Sequence, residues 1–451
     1  MGAPIEALAR FVATTRLDDV PEPVRRHAKL VLLDTLGVIL AGAARPEVSA
    51  LTARLAATAG SGATVLAPGW PRQDPRTAAL INGIAGRAVE LCEGLRLASG
   101  QVALQILPGL LAVGEQTGSS GRELLTALVL GYDVGARLCL AFTPRPLAHQ
   151  NGQASLLAAA AGGARMAGLD AAGTSRAMRI ATTLLMTPSY TNAVAGATTL
   201  NVPGGMSGFA AALAPELAQA GFTAQDDAIE EALGSLVGAG FKPDGLLEAL
   251  GERWEITRNY FRLHACCNPI HPALDCLAEV LATLRPRPAD VARIEVATYR
   301  FASVMHDPAP QSHFASKYSL PHAAAAMVVR GNAGFAALDD SALDDPAIAA
   351  LRPRVSVSED PALTAQVPRL KPARVTVTLT DGRHATAARD SHRGDFAEPF
   401  AESDLRQKFR ELAATVLTDA GAVAVEQAID RCEELPSVGD LIALLRRGSR
   451  A

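Results

Sequence analysis

The densest chemistry in the chain lies in Arg262-Leu-His-Ala-Cys-Cys-Asn-Pro-Ile-His-Pro-Ala-Leu-Asp275. His264, Cys266, Cys267, His271 and, just beyond it, Cys276 fall within thirteen positions of a 451-residue chain that has nine histidines and six cysteines. Pro269 and Pro272 bracket His271. Proline donates no backbone hydrogen bond and disfavours helix in the residue before it, so the ring is expected on a turn at a helix start. Unpaired amides at such a place favour an anion and disfavour a second cation, which would keep the imidazole neutral and ready to take a proton. Arg262 beside it offers a bidentate grip on a carboxylate. The competing reading is packing: buried cysteines act as small hydrophobes, and a histidine at a helix start is often a satisfied polar contact. Spacing argues against a zinc site, because Cys266 and Cys267 are adjacent and no second Cys-x-x-Cys or His-x-x-x-His pair closes a tetrahedral shell.

These residues need a scaffold, and the composition describes it. Hydrophobic residues make up 49%, charged residues 20% and aromatic residues 4%, which fits a helix-rich, close-packed chain of two domains. A net charge of -4 with no basic run among stacking aromatics argues against nucleic acid. Met1-Gly-Ala-Pro-Ile-Glu6 lacks the blocks of a secretion signal, and no apolar stretch reads as a membrane span. A cytoplasmic location is expected, in keeping with cysteines that form no disulfide framework.

Apolar residues recur at three- and four-residue spacing from Pro23 to Leu40, Thr77 to Glu90, Gly109 to Gln116 and Gly121 to Leu140, and predict helices. Alanine-rich runs at 154–167 and 208–220 suit helices that pack very closely. No strand is predicted before about residue 290. Arg293 to Tyr299 and Arg374 to Thr380 then alternate as half-buried strands, the second ending at the turn Asp381-Gly382, with a helix from Leu320 to Arg330 and a short strand at 355–357. Helix returns from Ser403 to Leu417 and from Gly421 to Arg431. The expected fold is mainly α with an α+β domain: an all-helical domain formed by residues 1–268 and 400–451, and an α+β domain at 269–399.

Nucleotide-cradling glycine motifs and Gly-x-Ser-x-Gly are absent, and Gly204-Gly205-Met-Ser-Gly208 reads better as tight helix packing than as a flexible turn. Several segments together resemble the MmgE/PrpD family, which contains 2-methylcitrate dehydratase, cis-aconitate decarboxylase and iminodisuccinate epimerase. They are Leu33-Asp-Thr-Leu-Gly37, Ala78-Ala-Leu-Ile-Asn-Gly83, His149-Gln-Asn-Gly152, Cys267-Asn-Pro-Ile-His-Pro-Ala-Leu-Asp275, Ser316-Lys-Tyr-Ser-Leu-Pro321 and Leu405-Arg-Gln-Lys-Phe409. Each is weak alone; their order and spacing are specific. The resemblance implies a homodimer with its active site in the cleft between a helical and an α+β domain, and no metal or organic cofactor.

The chain departs from the family at several positions. Gln101 stands where a histidine is common, Leu200 and Pro203 replace a lysine and a histidine, Arg262 replaces a lysine, and His322 replaces a tyrosine. Gln101 still donates a hydrogen bond but carries no proton, and Leu200 does neither, so a tricarboxylate substrate becomes less favoured than a smaller carboxylate. The catalytic candidates are His271, His149, Lys317 and His322. The substrate-binding candidates are Arg262, Gln101, Glu90, Glu93 and Cys267. His149, Arg262, His271 and Lys317 are expected to converge on one pocket at the domain boundary. The reading that follows is a cofactor-free lyase that abstracts a proton alpha to a carboxylate and eliminates a beta group. An isomerase or epimerase using the same abstraction, and a homologue that binds ligand without catalysis, are the alternatives.

Overall fold

Alanine and glycine on facing helices decide how the helical body packs. The computed structural model describes residues 3–56, 62–98 and 100–450, so Met1 and Gly2 of the N-terminal stretch lie outside it. The body is built from α1 (Glu22–Ala43), α2 (Pro75–Arg87), α3 (Val102–Thr117), α4 (Gly121–Ala141), α5 (Ala154–Met166) and α6 (Val202–Gln219). α2 starts at Pro75 behind Asp74, whose carboxylate accepts from the Arg76 and Thr77 amides. It lies on α6 so closely that a Cβ at Gly83 would sit 2.6 Å from the Gly204 carbonyl oxygen. The Gly204–Gly208 run is therefore the inside of a packed helix. Pro108 lies within α3, which begins at Val102, seven residues before the predicted start. α4 is the one helix among the described residues long and apolar enough by itself to cross a membrane, and 89% of its most apolar stretch is buried inside the protein.

Short strands do occur before residue 290, against expectation. Gly94–Leu95 pairs antiparallel with Asn259–Tyr260, Ala63–Thr64 with Arg72–Gln73, and Phe142–Pro144 with Gly238–Phe241. Pieces of two to four residues are too short for an alternating pattern to reveal.

The smaller part has α7 (His271–Leu284), α8 (Leu320–Arg330) and one sheet of β1 (Val291–Thr298), β2 (Val355–Glu359), β3 (Ala373–Leu379) and β4 (His384–Arg389). The spatial order is β4-β3-β1-β2; β1 and β2 run parallel and the other pairs antiparallel. Ala373, Val375, Val377 and Leu379 of β3 face the core at every second position, and α7 covers β3 and β4. A register shift between Val291 and Arg293 lets Val291 and Ile294 both point inward.

The chain then returns to the body through α9 (Glu402–Ala413), α10 (Asp419–Asp430) and α11 (Val438–Arg447). α9 lies on α1, where the buried Lys408 ammonium donates to Asp34 at 2.6 Å and to the Leu91 carbonyl at 2.8 Å. Removing either partner of such a pair costs about 3–5 kcal/mol, because a lone buried charge remains. The second apolar core borrows Val38, Val89, Leu91 and Leu104 from the helical body, so the two parts share a seam.

Candidate active site

A cavity of about 410 Å³ opens along that seam, with walls from both parts of the chain. Its floor is made where α2 ends. Arg87 is the last residue of α2, and Glu90 follows in the left-handed backbone region at φ +53°. This region is unfavourable for a residue with a side chain, and here it turns the Glu90 carboxylate back beside Arg87. Arg262 arrives from the other side, just after the Asn259–Tyr260 strand. A Cβ at Gly94 would lie 2.7 Å from Cζ of the Tyr260 ring, so the strand pairing that delivers Arg262 requires glycine there.

Glu90 is held by three donors. Arg262 Nη1 reaches Oε1 at 2.8 Å, the Tyr318 hydroxyl reaches Oε2 at 3.0 Å, and Arg87 Nη1 forms an ion pair with Oε2. Arg87 Nη2 also donates to the Tyr318 hydroxyl at 2.9 Å. Glu90, Arg87 and Arg262 are each no more than 2% exposed, so one carboxylate faces two guanidinium groups away from water. Nε of Arg262 has no protein partner, and Nη2 makes one bond, to the Tyr260 hydroxyl at 3.3 Å. A guanidinium carries five N–H groups; Nε is enclosed, and Nη2, with its single long bond, is the donor left for an incoming anion.

His149 stands on the helical wall, stacked on Tyr190 with ring centroids 5.4 Å apart. Its Nδ1 accepts from the Asn151 amide at 3.2 Å, which places the ring proton on Nε2. Burial, reinforced by Arg87 and Arg262, pushes its pKa well below the usual histidine range, so the ring is a neutral N–H donor at pH 7. Gln101, the N-cap residue of α3, accepts from Asn151 Nδ2 at 2.7 Å and lines the same wall. Opposite in sequence, Lys371 lines the cavity from the smaller part, with its pKa brought down to about 8 by burial and then by Arg96 and Arg262. Cys267 lies 3.4 Å from the Tyr190 hydroxyl, its thiol pushed up by burial and therefore protonated. Arg96, paired with Asp395 at 3.1 Å, adds a further cation to the wall.

The expected convergence needs correction. His149, Arg262, Gln101, Glu90 and Cys267 line the cavity; His271, Lys317, His322 and Glu93 do not. His271 does open α7 after a turn at 268–270, but its Nε2 donates to the Cys266 carbonyl at 3.0 Å and its ring packs edge-on against His264 and His392. Burial, then those two rings and Arg262, drive its pKa well below the usual value, which makes it neutral but a poor proton acceptor. The Lys317 ammonium is bound to the Leu338 carbonyl at 2.6 Å, and burial lowers its pKa to about 7. His322 is fully buried with neither ring nitrogen bonded to protein, and its pKa falls to about 3 for the same reason. Glu93 receives the Ala103 amide at 2.9 Å and the Tyr132 hydroxyl at 2.6 Å, so it closes the first turn of α3. Burial raises its pKa to about 7. Leu200, the residue at the missing lysine's position, is buried in the second core.

Arg87, Tyr318, Lys371, Tyr190, Tyr299 and Arg96 line the cavity and were not singled out from sequence. Arg87 had a signal: an arginine closing an otherwise apolar helix has to find a buried counter-charge. Lys371 and Tyr299 sit at strand ends and carried none. Among the described residues, no group of three or more His, Cys, Asp and Glu is placed to hold a metal ion.

Residues 6–242 match the MmgE/PrpD N-terminal domain and residues 264–435 the MmgE/PrpD C-terminal domain. The chain is 24% identical to a cis-aconitate decarboxylase-like protein, oryM, of Aspergillus oryzae, over 97% of this chain and 96% of the other. It is 22% identical to a cis-aconitate decarboxylase of Aspergillus terreus, over 97% and 95% of the two chains. A mouse (Mus musculus) cis-aconitate decarboxylase is 24% identical over 98% and 93%.

Proposed function

Because the chain belongs to the MmgE/PrpD family, we propose that it is a lyase of the dehydratase or decarboxylase type acting on a small carboxylate-bearing substrate in this cavity. The observation that carries the reading is the charge of the wall. Arg87, Arg262, Lys371 and the Asp395-paired Arg96 face it, whereas the one carboxylate among its described lining residues, Glu90, is already bound by two of those cations and a tyrosine. Arg262, backed by Arg87, takes a substrate carboxylate. Loss of a proton or of carbon dioxide beside that carboxylate leaves an electron pair delocalised onto its oxygens. The Nε2–H of His149 and the guanidinium groups stabilise that charge, donors fixed before the reaction begins.

Lys371 is the group suited to move the proton. A pKa near 8 leaves both its forms populated near neutrality, which is what an acid or base working at that pH requires. In an elimination its free amine takes the alpha proton and the beta group departs with the bonding pair. In a decarboxylation its ammonium returns a proton to the carbon that lost carbon dioxide. An epimerase remains the second reading, because it begins with the same abstraction of the alpha proton and differs only in returning a proton in place of losing the beta group. All three reactions proceed with side chains alone, without a resident metal or organic cofactor.

The test is incubation with a panel of di- and tricarboxylates, reading carbon dioxide release, the ultraviolet absorbance of a conjugated enoate, and uptake of deuterium from solvent. A lyase gives one of the first two; an epimerase gives exchange with the substrate's formula unchanged. Silence in all three, with no carboxylate raising the thermal midpoint, would refute the reading.

A further inference from the structure

Polarity changes sharply with depth in this cavity. Arg87, Glu90, Arg262 and His149 at its floor are 1–3% exposed. The exposed residues of its wall are Leu97, Phe301, Val367 and Pro368, all of them apolar. Leu97 is 42%, Phe301 47% and Val367 37% exposed, so three of the largest apolar side chains left in water among the described residues surround one opening. They come from three separate segments: the loop after Gly94–Leu95, the short helix Arg300–Ser303 and the connection that precedes β3. No single amphipathic element accounts for that convergence.

An apolar strip also runs inward. Phe301 contacts Tyr190 with centroids 4.9 Å apart, and Tyr190 stacks on His149. Aromatic surface is thus continuous from the rim to the floor, and among the described residues that line the cavity none is both charged and exposed. A substrate with carboxylates at every end would leave this surface wet and would have to desolvate one carboxylate against it.

We infer that the substrate is amphipathic: one end carries the carboxylate or carboxylates held by Arg87 and Arg262, and the other is a hydrocarbon chain that leaves the cavity along Tyr190, between Phe301, Leu97 and Val367. This rests on the reading of the floor as a carboxylate site. The chain contributes affinity through burial of apolar surface, and a fully buried methylene adds about 0.8 kcal/mol, roughly fourfold.

The test is calorimetric titration of the full-length protein with succinate and with methyl-, butyl- and octylsuccinate, and with octylamine as the control for unspecific binding. Affinity is expected to rise about two- to fourfold per methylene until the chain passes the rim, and octylamine is expected not to bind, because its cation meets the guanidinium floor. In Leu97→Ser/Phe301→Ser the ratio of octyl to unsubstituted affinity is expected to fall toward one. Succinate binding with an affinity that is flat or falling along the series overturns the inference and leaves the carboxylate floor standing. No member binding removes the floor reading and the inference together. A halved mass for the double variant in light scattering would assign the rim to a subunit contact, and so also overturn it.

Discussion

Replacing Glu90 by glutamine keeps the shape of the floor and removes its negative charge. In the protein as it stands, one carboxylate neutralises part of two guanidinium groups, all three being 2% exposed or less. The variant leaves both cations buried with no counter-ion, and losing one partner of a buried pair costs about 3–5 kcal/mol. At about 2 °C per kcal/mol, a conservative scale for a chain of this length, the thermal midpoint is expected to fall by about 6–10 °C. The same loss has the opposite effect on anions. A bound dicarboxylate supplies the missing charge, so succinate or malonate is expected to raise the midpoint of Glu90→Gln by more than it raises that of the parent. Differential scanning calorimetry with and without the dianion reads both effects. A variant that melts within about 2 °C of the parent, or that gains less from the dianion, would show that the guanidinium pair is not held by Glu90 and that the floor is not an anion site.

His149→Ala is expected to lower turnover about a hundredfold in a folded variant, the usual scale for losing a fixed hydrogen-bond donor to developing charge. His271→Ala is expected to act mainly on stability, because its ring holds the Cys266 carbonyl and packs on two other histidines; a loss of turnover above about a hundredfold in a folded variant would restore it as the base. Lys317 holds fewer protons folded than unfolded between its lowered value of about 7 and its unfolded value, so its contribution to stability rises with pH across that window. Urea midpoints measured from pH 7 upward should show that rise in the parent and a flatter course in Lys317→Met. Light scattering is expected to give twice the chain mass of 46.8 kDa, since Leu140, Leu147 and Leu236 stand exposed near the pairing of Phe142–Pro144 with Gly238–Phe241; a monomer at micromolar concentration would contradict it.

The long periodic segments were legible in the sequence because their packing repeats. The helix read from Leu320 to Arg330 is α8 itself, and alternation from Arg374 placed β3 within a residue. The first half of α3 was missed because Pro108 looks like a break, whereas this helix carries a proline in its interior. The site was legible only in part. Residues marked by a family pattern, His149, Arg262, Gln101 and Glu90, reach the cavity. The dense histidine and cysteine stretch misled, because density of titratable groups along the chain records local packing: His264 bonds Asp275 at 3.1 Å and His271 bonds a carbonyl. Arg87, Tyr318 and Lys371 meet across more than 280 positions of sequence, and only the fold puts them together.

The closeness of α2 and α6 has a consequence for how such an enzyme can change. Arg87 and Glu90 hang from the end of a helix that cannot slide, since even a methyl group at Gly83 would strike the backbone of its neighbour. The rim is made of connectors whose side chains stand in water, where substitutions typically shift stability by no more than about 0.5 kcal/mol. On the proposed reading variation is channelled: a lineage can retune which molecules enter by exchanging residues 97, 301 and 367 one at a time, while the proposed anion site below stays fixed. The same division marks those three positions as the place to begin a library for altered substrate range.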